Sequence, residues 1–419
     1  MYHVLRGRVL TSESAISSTW KESTWGKEVS INYGKSLRDY DTNTGDFQVF
    51  GTNGPIGWCD HFLVDGPGII LGRKGATRGV FFSERPFYVI DTAYYVTPNS
   101  KMNLRWLYFA INYHRLAKID DGSPIPSTPR SAIRNIPLLV PPVETQEKIG
   151  NCLTNYDHLS LSNQNIANIT QKIISTLFRS WFIDFEPVKA KSEGKLPYGM
   201  DEETAALFPD SFEDSELGPI PTGWRASPIS EICKMSSGGT PSRSKEEYFS
   251  TQGVGYPWLA SRELNGNIIH DAEEYISELG LKNSSAKLFP ENSVAMAMYG
   301  ATAGRIGFFA KPLTTSQAIC VMLAKENICL PKYLYFLIGS ESWKIVWMNA
   351  LGGAQPNISQ QSIGKHRIVL PRFEIIQKFE SLVEELFSII DTSSIQSEKL
   401  AGIRDALIPR LISGELKVN

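Results

Sequence analysis

Two short motifs in this 419-residue chain have residue types and spacings that could do chemistry. Gly34-Lys35-Ser36 has the closing triplet of a phosphate-cradling loop, in which backbone N–H groups and a lysine hold phosphate oxygens. That loop also needs a glycine five positions before Gly34, where Val29 stands, and the matching place later in the chain reads Gly238-Gly239-Thr240, so the reading fails. Asp184 with Glu193-x-Lys195 has the content of a metal-dependent nuclease site, two carboxylates for a cation and a lysine for the phosphate. It falls in a stretch with no strand to bring the carboxylates together, so chance spacing is the better account. The six histidines (His3, His61, His114, His158, His270, His366) form no metal-ligand spacing, and the five cysteines include no Cys-x-x-Cys pair, which leaves buried free thiols as the expectation. A glycine-rich loop for S-adenosylmethionine and an Asn-Pro-Pro-aromatic motif are both missing from the sequence. Nothing reads as catalytic.

What does concentrate is hydrogen-bonding side chains in loops. The earlier part of the chain carries Lys35, Arg38, Asn53, Arg73, Lys74, Arg78, Ser127, Thr128, Arg130 and Arg134. The later part carries Arg243, Lys245, Arg262, Asn265, Asn267, Arg305, Gln355, Asn357, Gln360, Gln361 and Lys365. Arg and Lys suit phosphate oxygens, and Arg, Lys, Asn, Gln, Ser and Thr suit base edges in the major groove. Loops are polar in any protein, so for any one of these residues plain surface polarity is the commoner meaning. The glycines at Gly75 and Gly300 are read as shaping turns.

The elements that would position these loops occur twice. The stretch from Ile136 to Val188 (IPLLVPPVETQEKIGNCL to IISTLFRSWFIDFEPV) matches that from His366 to Val418 (HRIVLPRFEIIQKFESL to IRDALIPRLISGELKV) without a gap, at an offset of 230. Trp20–Gly34 matches Trp224–Gly238 at 204, GATRG at Gly75 matches GATAG at Gly300 at 225, and WLYFAI at Trp106 matches YLYFLI at Tyr333 at 227. The drift places about 21 extra residues in the second copy, around Arg243 to Ser285. Ile149, Leu153, Tyr156, Ile173, Leu177 and Trp181 in one copy, and Phe379, Leu386, Ile390, Leu400, Ile403 and Leu407 in the other, predict two long helices with narrow apolar seams. Each is too amphipathic to stand alone, so they should pack antiparallel on each other. The polar interruptions (Ser160 and Asn163; Ser393 and Gln396) could fix their register. Short β-branched and aromatic runs predict a mixed α/β body before each helix: strands at Phe47–Phe50, Gly68–Leu71, Val80–Phe82 and Tyr88–Val96 with a helix near Leu104–Leu116, then Tyr256–Leu259, Ser293–Met298, Ile306–Phe309 and Ala318–Leu323 with a helix from Pro331.

The expected division is therefore a first α/β (α+β) body at 1–142, a long helix at 143–183, an acidic linker at 184–221, a second body at 222–372 and a second long helix at 373–419, a pseudo-twofold internal repeat. Net charge follows this division. The bodies carry +4 each, the first helix is neutral, the linker is −7 and the last segment −3, which a whole-chain value of −2 conceals. Mildly basic bodies weakly favour a polyanionic partner. With neither a signal-peptide pattern nor an apolar run long enough to span a bilayer, the expected location is the cytoplasm.

Pro141-Pro142 with Gln146 and Ile149, echoed at Pro371, Gln377 and Phe379, together with IISTLFRSWFIDFEPVKAK after Ile173, LIPRLISGEL after Leu407 and the WLYF/YLYF pair, resembles the specificity subunit of type I restriction–modification enzymes across nearly the whole chain. Arg372 replaces the second proline in the later copy, and its glutamine is shifted by one. The resemblance implies two target-recognition domains separated by an antiparallel coiled-coil-like spacer, each reading half of an interrupted, asymmetric target in double-stranded DNA. It implies no catalysis and no cofactor in this chain. Two modification (methyltransferase) subunits would supply S-adenosylmethionine and adenine-N6 methylation, and two restriction (translocase/nuclease) subunits would supply ATP- and Mg2+-dependent translocation and cleavage. The competing reading is a two-headed scaffold that binds carbohydrate or protein, separable by the steep salt dependence that counterion release imposes on DNA binding.

Overall fold

The structure, a computed structural model, describes residues 19–350 and 358–418. The described residues form two compact units, one running from residue 19 to Asn163 together with 395–418, the other within Gln164–Ser394. Each long helix contributes one half to each unit.

In the first unit an antiparallel sheet runs in the order Val29–Tyr33, Ala93–Pro98, Gly68–Gly72, Val80–Ser83. A smaller sheet joins Gly54–Cys59, Phe47–Gly51 and Phe87–Val89, the last pair parallel. The strand expected over Tyr88–Val96 is thus two strands in different sheets, broken after Val89. A ribbon of Lys21–Thr24 with Pro137–Val140 closes the body and leads, across Pro141-Pro142, into the first long helix, Val143–Phe182. Fully buried Trp25 and Trp106 centre the core, the latter on helix Leu104–Tyr113, with Ile149 and Leu153 of the first long helix and Leu411 of the second packed against them.

The second unit repeats this plan and adds to it. One sheet orders Cys233–Ser237, Ile319–Ala324, Val294–Ala297, Ile306–Phe309 and Asn267–Ile269, and the other Phe249–Ser250, Glu274–Ile276, Tyr256–Leu259, Leu313–Thr315 and Leu288–Phe289. The ribbon is Arg225–Pro228 with Arg367–Leu370, and the second long helix, Phe373–Ile412, follows at once. Asn267–Ile269 and Phe249–Ser250 are edge strands inside the predicted insertion, so the extra residues widen both sheets without disturbing their centres. The acidic stretch after the first long helix is folded: helices Glu186–Ser192 and Glu202–Leu207 and the hairpin Phe212–Ser215/Gly218–Pro221 bury Val188 and Phe208 against Trp181, Phe182 and Trp224. Aromatic anchors in a charged sequence are enough to order it.

Within each unit the long-helix halves pack antiparallel. In the first, Ser160 and Ser397 are both buried and exchange bonds: the Ser160 hydroxyl donates to the Ser397 carbonyl (3.1 Å), the Ser397 hydroxyl to the Ser160 carbonyl (3.0 Å), and the two hydroxyl oxygens lie 2.8 Å apart. Arg404 reaches Asp157 one turn on. In the second, Phe178, Trp181 and Phe182 surround Phe379.

One column of buried residues on the first helix repeats every seven, Leu153, Ser160, Ala167, Ile174 and Trp181, with Ile149, Thr170 and Phe178 buried beside it. The expected seam members Ile173 and Ile403 are corrected by one position each: they are 52% and 47% exposed, while Ile174 is fully buried and Arg404 takes the other place. At 404 a charged residue takes the seam place next to the isoleucine that the apolar pattern picks, whereas 173 and 174 are both isoleucine and the fold buries the second. Asn163 is half-buried and Gln396 exposed, so the register-fixing pair is Ser160 with Ser397. Trp181, Phe379 and Ile390 are buried, and Tyr156, Leu177, Leu386, Leu400 and Leu407 half-buried, along the expected face.

The helix following each sheet is capped in two ways at one equivalent place. In the first unit Asn103 caps Leu104–Tyr113 by accepting from the Trp106 N–H (2.9 Å), and its own N–H donates to buried Gln146 Oε1 (2.9 Å). Gly150 makes room, since a Cβ there would lie 2.6 Å from Asn103 Oδ1. The residue 230 later is Glu380, whose carboxylate accepts the Lys332 and Tyr333 N–H groups (3.0 and 2.9 Å) at the start of helix Pro331–Ala350.

Candidate nucleic-acid interface

In the first unit the loop after strand Gly68–Gly72 and the loop before helix Arg130–Arg134 are zipped together. The Gly75 N–H donates to the Pro126 carbonyl (2.9 Å), the Thr128 N–H to the Arg73 carbonyl (2.9 Å), and Lys74 bridges to Ser127. Gly75 has a φ of +110°, which a side chain would oppose. Hydroxyls of Ser127 and Ser123 hold the Asp121 carboxyl well below the usual carboxylate range and brace the second loop. Arg78, one of the expected DNA contacts, is turned inward. Its guanidinium donates to the carbonyls of Ala117 (2.9 Å), Gly75 (2.7 Å) and Ile119 (3.3 Å) and pairs with Asp120, with its side chain only 5% exposed. All its donor nitrogens are engaged, so it supports the loops.

Against these loops the strand Val29–Tyr33 ends with an exposed tyrosine. The Arg73 guanidinium lies 4.9 Å and that of Arg130 4.2 Å from the Tyr33 ring centroid. Backbone carbonyls fix both cations, Asp91 accepting from Arg73 (2.7 Å) and Ile31 from Arg130 (3.1 Å). An open pocket of about 630 Å³ collects Tyr33, Arg73, Ser127, Thr128, Arg130 and Arg134, and no carboxylate lines it. Lys35, Arg38, Asn53 and Lys74 are exposed in neighbouring loops. Gly34 proves to be a packing glycine. A Cβ there would sit 2.1 Å from the Ile90 carbonyl oxygen, and one at Gly238 2.0 Å from that of Thr315, so both copies need glycine where the chain crosses the opposite sheet.

The equivalent region of the second unit is built from neutral groups. Gln360, first residue of helix Gln360–Lys365, donates from its amide to the Ser237 hydroxyl at the end of strand Cys233–Ser237, and the Thr240 hydroxyl donates to the Gln317 amide oxygen. Trp258 donates its indole N–H to the Gly239 carbonyl (2.9 Å) and so fixes the loop between them. Cations here are largely neutralised. Arg243 lies over Phe249 and Trp258 and pairs with Glu274; Arg262 pairs with Glu273 (2.7 Å) and Glu274 (3.5 Å). Lys245 donates to the Tyr248 hydroxyl (2.9 Å). Asn267, Arg305 and Lys365 are exposed, the two cations without an ion pair among the described residues. Gln355 and Asn357 lie outside the described residues.

Sequence reasoning missed Tyr33 and Gln317. Tyr33 ends an alternating strand directly before a glycine, a position where an aromatic ring leaves the sheet for the loops. Gln317 sits between two strands in Thr-Thr-Ser-Gln-Ala, with no local signal. Among the described residues no group of His, Cys, Asp and Glu is placed to hold a metal ion, and no helix is long and apolar enough to cross a membrane.

The sequence matches the family described as type I restriction modification DNA specificity domain twice, over residues 18–171 and 221–403. It is 27% identical over 395 residues to the type I restriction enzyme HindI specificity subunit of Haemophilus influenzae, covering 82% of this chain and 85% of that one. It is 26% identical over 414 residues to the MjaIX specificity subunit of Methanocaldococcus jannaschii, covering 96% and 90%. The fold is similar to that of a type I restriction–modification system S subunit from M. genitalium, with a TM-score of 0.62 at 16% identity over 94% of this chain and 96% of the other. The chain belongs to the type I restriction–modification DNA specificity family, whose members confer DNA sequence specificity and are not themselves catalytic.

Proposed function

We propose that the chain reads a bipartite, asymmetric target in double-stranded DNA, one half-site per unit, and recruits modification subunits and then restriction subunits to it. The observation that carries this reading is a repeated ribbon, sheet and helix plan supporting loops of unlike chemistry. Two similar scaffolds offer two similar docking surfaces, hence two copies of each partner. Unlike loops select unlike half-sites. An exposed apolar strip on the first long helix, with Ile169 61% and Ile173 52% exposed, supports a protein partner along that helix. S-adenosylmethionine, ATP and Mg2+ belong to the partners, and the chain itself needs no cofactor.

The test is long-read mapping of N6-methyladenine in a host carrying the chain with its modification partner. The expected result is methylation confined to one interrupted motif with two different halves. Methylation without a sequence limit, or a palindromic motif, would refute the reading. The scaffold alternative predicts binding to duplex DNA that is absent or insensitive to salt.

A further inference from the structure

The two reading surfaces occupy equivalent places, and their residues can be compared one for one. Tyr33 corresponds to Ser237 at the offset of 204 found for the first strand, and Arg130 to Gln360 when the offset of 230 found from Ile136 onward is carried back over the short helix, where Ile133 and Ile363 are both fully buried. The structure bears out the equivalence. Each pair brings the end of the first sheet strand (Val29–Tyr33 or Cys233–Ser237) to the first residue of the short helix that precedes the ribbon (Arg130–Arg134 or Gln360–Lys365). In the first unit this junction is two guanidiniums over an aromatic ring; in the second it is a carboxamide on a hydroxyl.

We infer that the first unit reads guanine through Arg73 and Arg130, and the second reads adenine through Gln360. This rests on the DNA-reading function proposed above. A guanidinium offers two parallel N–H donors, which match O6 and N7 of guanine, whereas a carboxamide offers one donor and one acceptor, which match N7 and N6 of adenine. Arg73 and Arg130 are poor choices for mere phosphate contacts. Each donates to a backbone carbonyl, at 2.7 Å from the Asp91 oxygen and 3.1 Å from that of Ile31, and lies over the Tyr33 ring. A phosphate needs only a charge on a flexible stem, which exposed Lys35, Arg38 and Lys74 provide nearby. Gln360 spends one amide N–H on Ser237 and keeps the other, with its carbonyl oxygen, for a base. Tyr33 acts as a positioning residue that keeps the forks rigid.

The experiment maps N6-methyladenine by long reads in hosts carrying the full chain with its modification partner, as wild type, Arg130→Gln, Arg130→Lys or Gln360→Ala. Arg130→Gln is expected to relax one guanine position, or turn it to adenine, in one half-site while the other half keeps its sequence. Arg130→Lys retains the charge and is expected to lose that base preference too. Gln360→Ala is expected to relax one adenine position in the opposite half-site. Each loss corresponds to about a 5- to 150-fold fall in discrimination. An unchanged opposite half-site reports that the variant is folded and assembled. Uniformly weaker methylation with both half-sites unchanged would make Arg130 a phosphate contact and overturn the inference. An unaltered motif in Gln360→Ala, or a wild-type half-site with no guanine where Arg130 acts, would overturn it as well. Wild-type methylation lacking any sequence limit would instead sink the parent reading, and the variants would not be needed to see it.

Discussion

Gly150 and Glu380 occupy one position of the repeat and solve one problem by different means, which permits an exchange experiment. In the second unit Glu380 supplies both acceptors for the first free N–H groups of helix Pro331–Ala350. Glu380→Gly strips two amides of a charged acceptor, at about 2–4 kcal/mol together, and adds about 1 kcal/mol for glycine inside a helix. The first unit shows how to repair it. Leu330 stands 227 positions after Asn103, and its carbonyl already accepts the first helical bond, from Leu334 (2.9 Å). Leu330→Asn on top of Glu380→Gly should place an N-cap where the lost carboxylate was and recover about 1–2 kcal/mol. In the wild-type background the same change should only destabilise, because Leu330 packs on the core and Glu380 fills the space. The measurement is amide hydrogen exchange at Lys332 and Tyr333 in the full chain for all four members of the cycle. A coupling of about 1–2 kcal/mol, roughly 5- to 30-fold in protection, is expected. Additive effects within about 0.5 kcal/mol would show that the two caps are not interchangeable and refute the reasoning.

Three other perturbations follow from the same geometry. Ser160→Ala deletes the bond to the Ser397 carbonyl and the hydroxyl–hydroxyl contact but leaves Ser397 donating to the Ser160 carbonyl, so it should cost about 0.5–1.5 kcal/mol in chemical denaturation. Because the two hydroxyls touch, the double change with Ser397→Ala should cost less than the sum of the single changes, and a double loss at or above the sum would remove the reciprocal pair as the cause. Burial pushes the Glu341 carboxyl up, but hydrogen bonds from His366 and Lys344 outweigh it and hold the folded value below 4.5. Its contribution is thus present above pH 4.5 and lost as pH falls through the depressed native value, so Glu341→Gln should flatten the acid limb of stability against pH, and an unchanged slope would contradict the pairing. Inserting one heptad into each long helix adds about 10 Å, near 3 base pairs of DNA. The mapped motif should gain that much spacing with both half-sites intact, and altered half-site bases would refute the spacer role.

The long helices were legible because duplication and apolar spacing point the same way over 40 residues. Their seam was legible only where it is greasy. Leu153, Trp181, Phe379 and Ile390 follow from pattern, but at Arg404 the seam is charged and the pattern drifts to the neighbouring Ile403, and of the adjacent Ile173 and Ile174 it picks the exposed one. A seam set in part by paired polar groups leaves little hydrophobic signal. The acidic stretch after Ile183 was obscure for the opposite reason: ten carboxylates mask the few buried side chains, such as Val188 and Phe208, that fold it.

Counting cations is a poorer guide to the interface than asking what each guanidinium already holds. Arg78, Arg243 and Arg262 contribute as much to formal charge as Arg73 and Arg130 do, yet Arg78 is spent on three carbonyls and an aspartate, and the other two on Glu273 and Glu274. Desolvating an ion pair to reach DNA returns little, because the new phosphate contact only replaces one already made. A pair held to a ring and one carbonyl, with no carboxylate beside it, has most of its hydrogen-bonding capacity still to give. The equal charge of the two bodies, +4 each, therefore hides an inequality of available charge. The first unit has free cations to offer DNA, and the second must rely more on neutral amides and hydroxyls. Binding by the first should fall more steeply with salt, and charge-removing changes there should reduce the salt slope more than equivalent changes at Arg243 or Arg262.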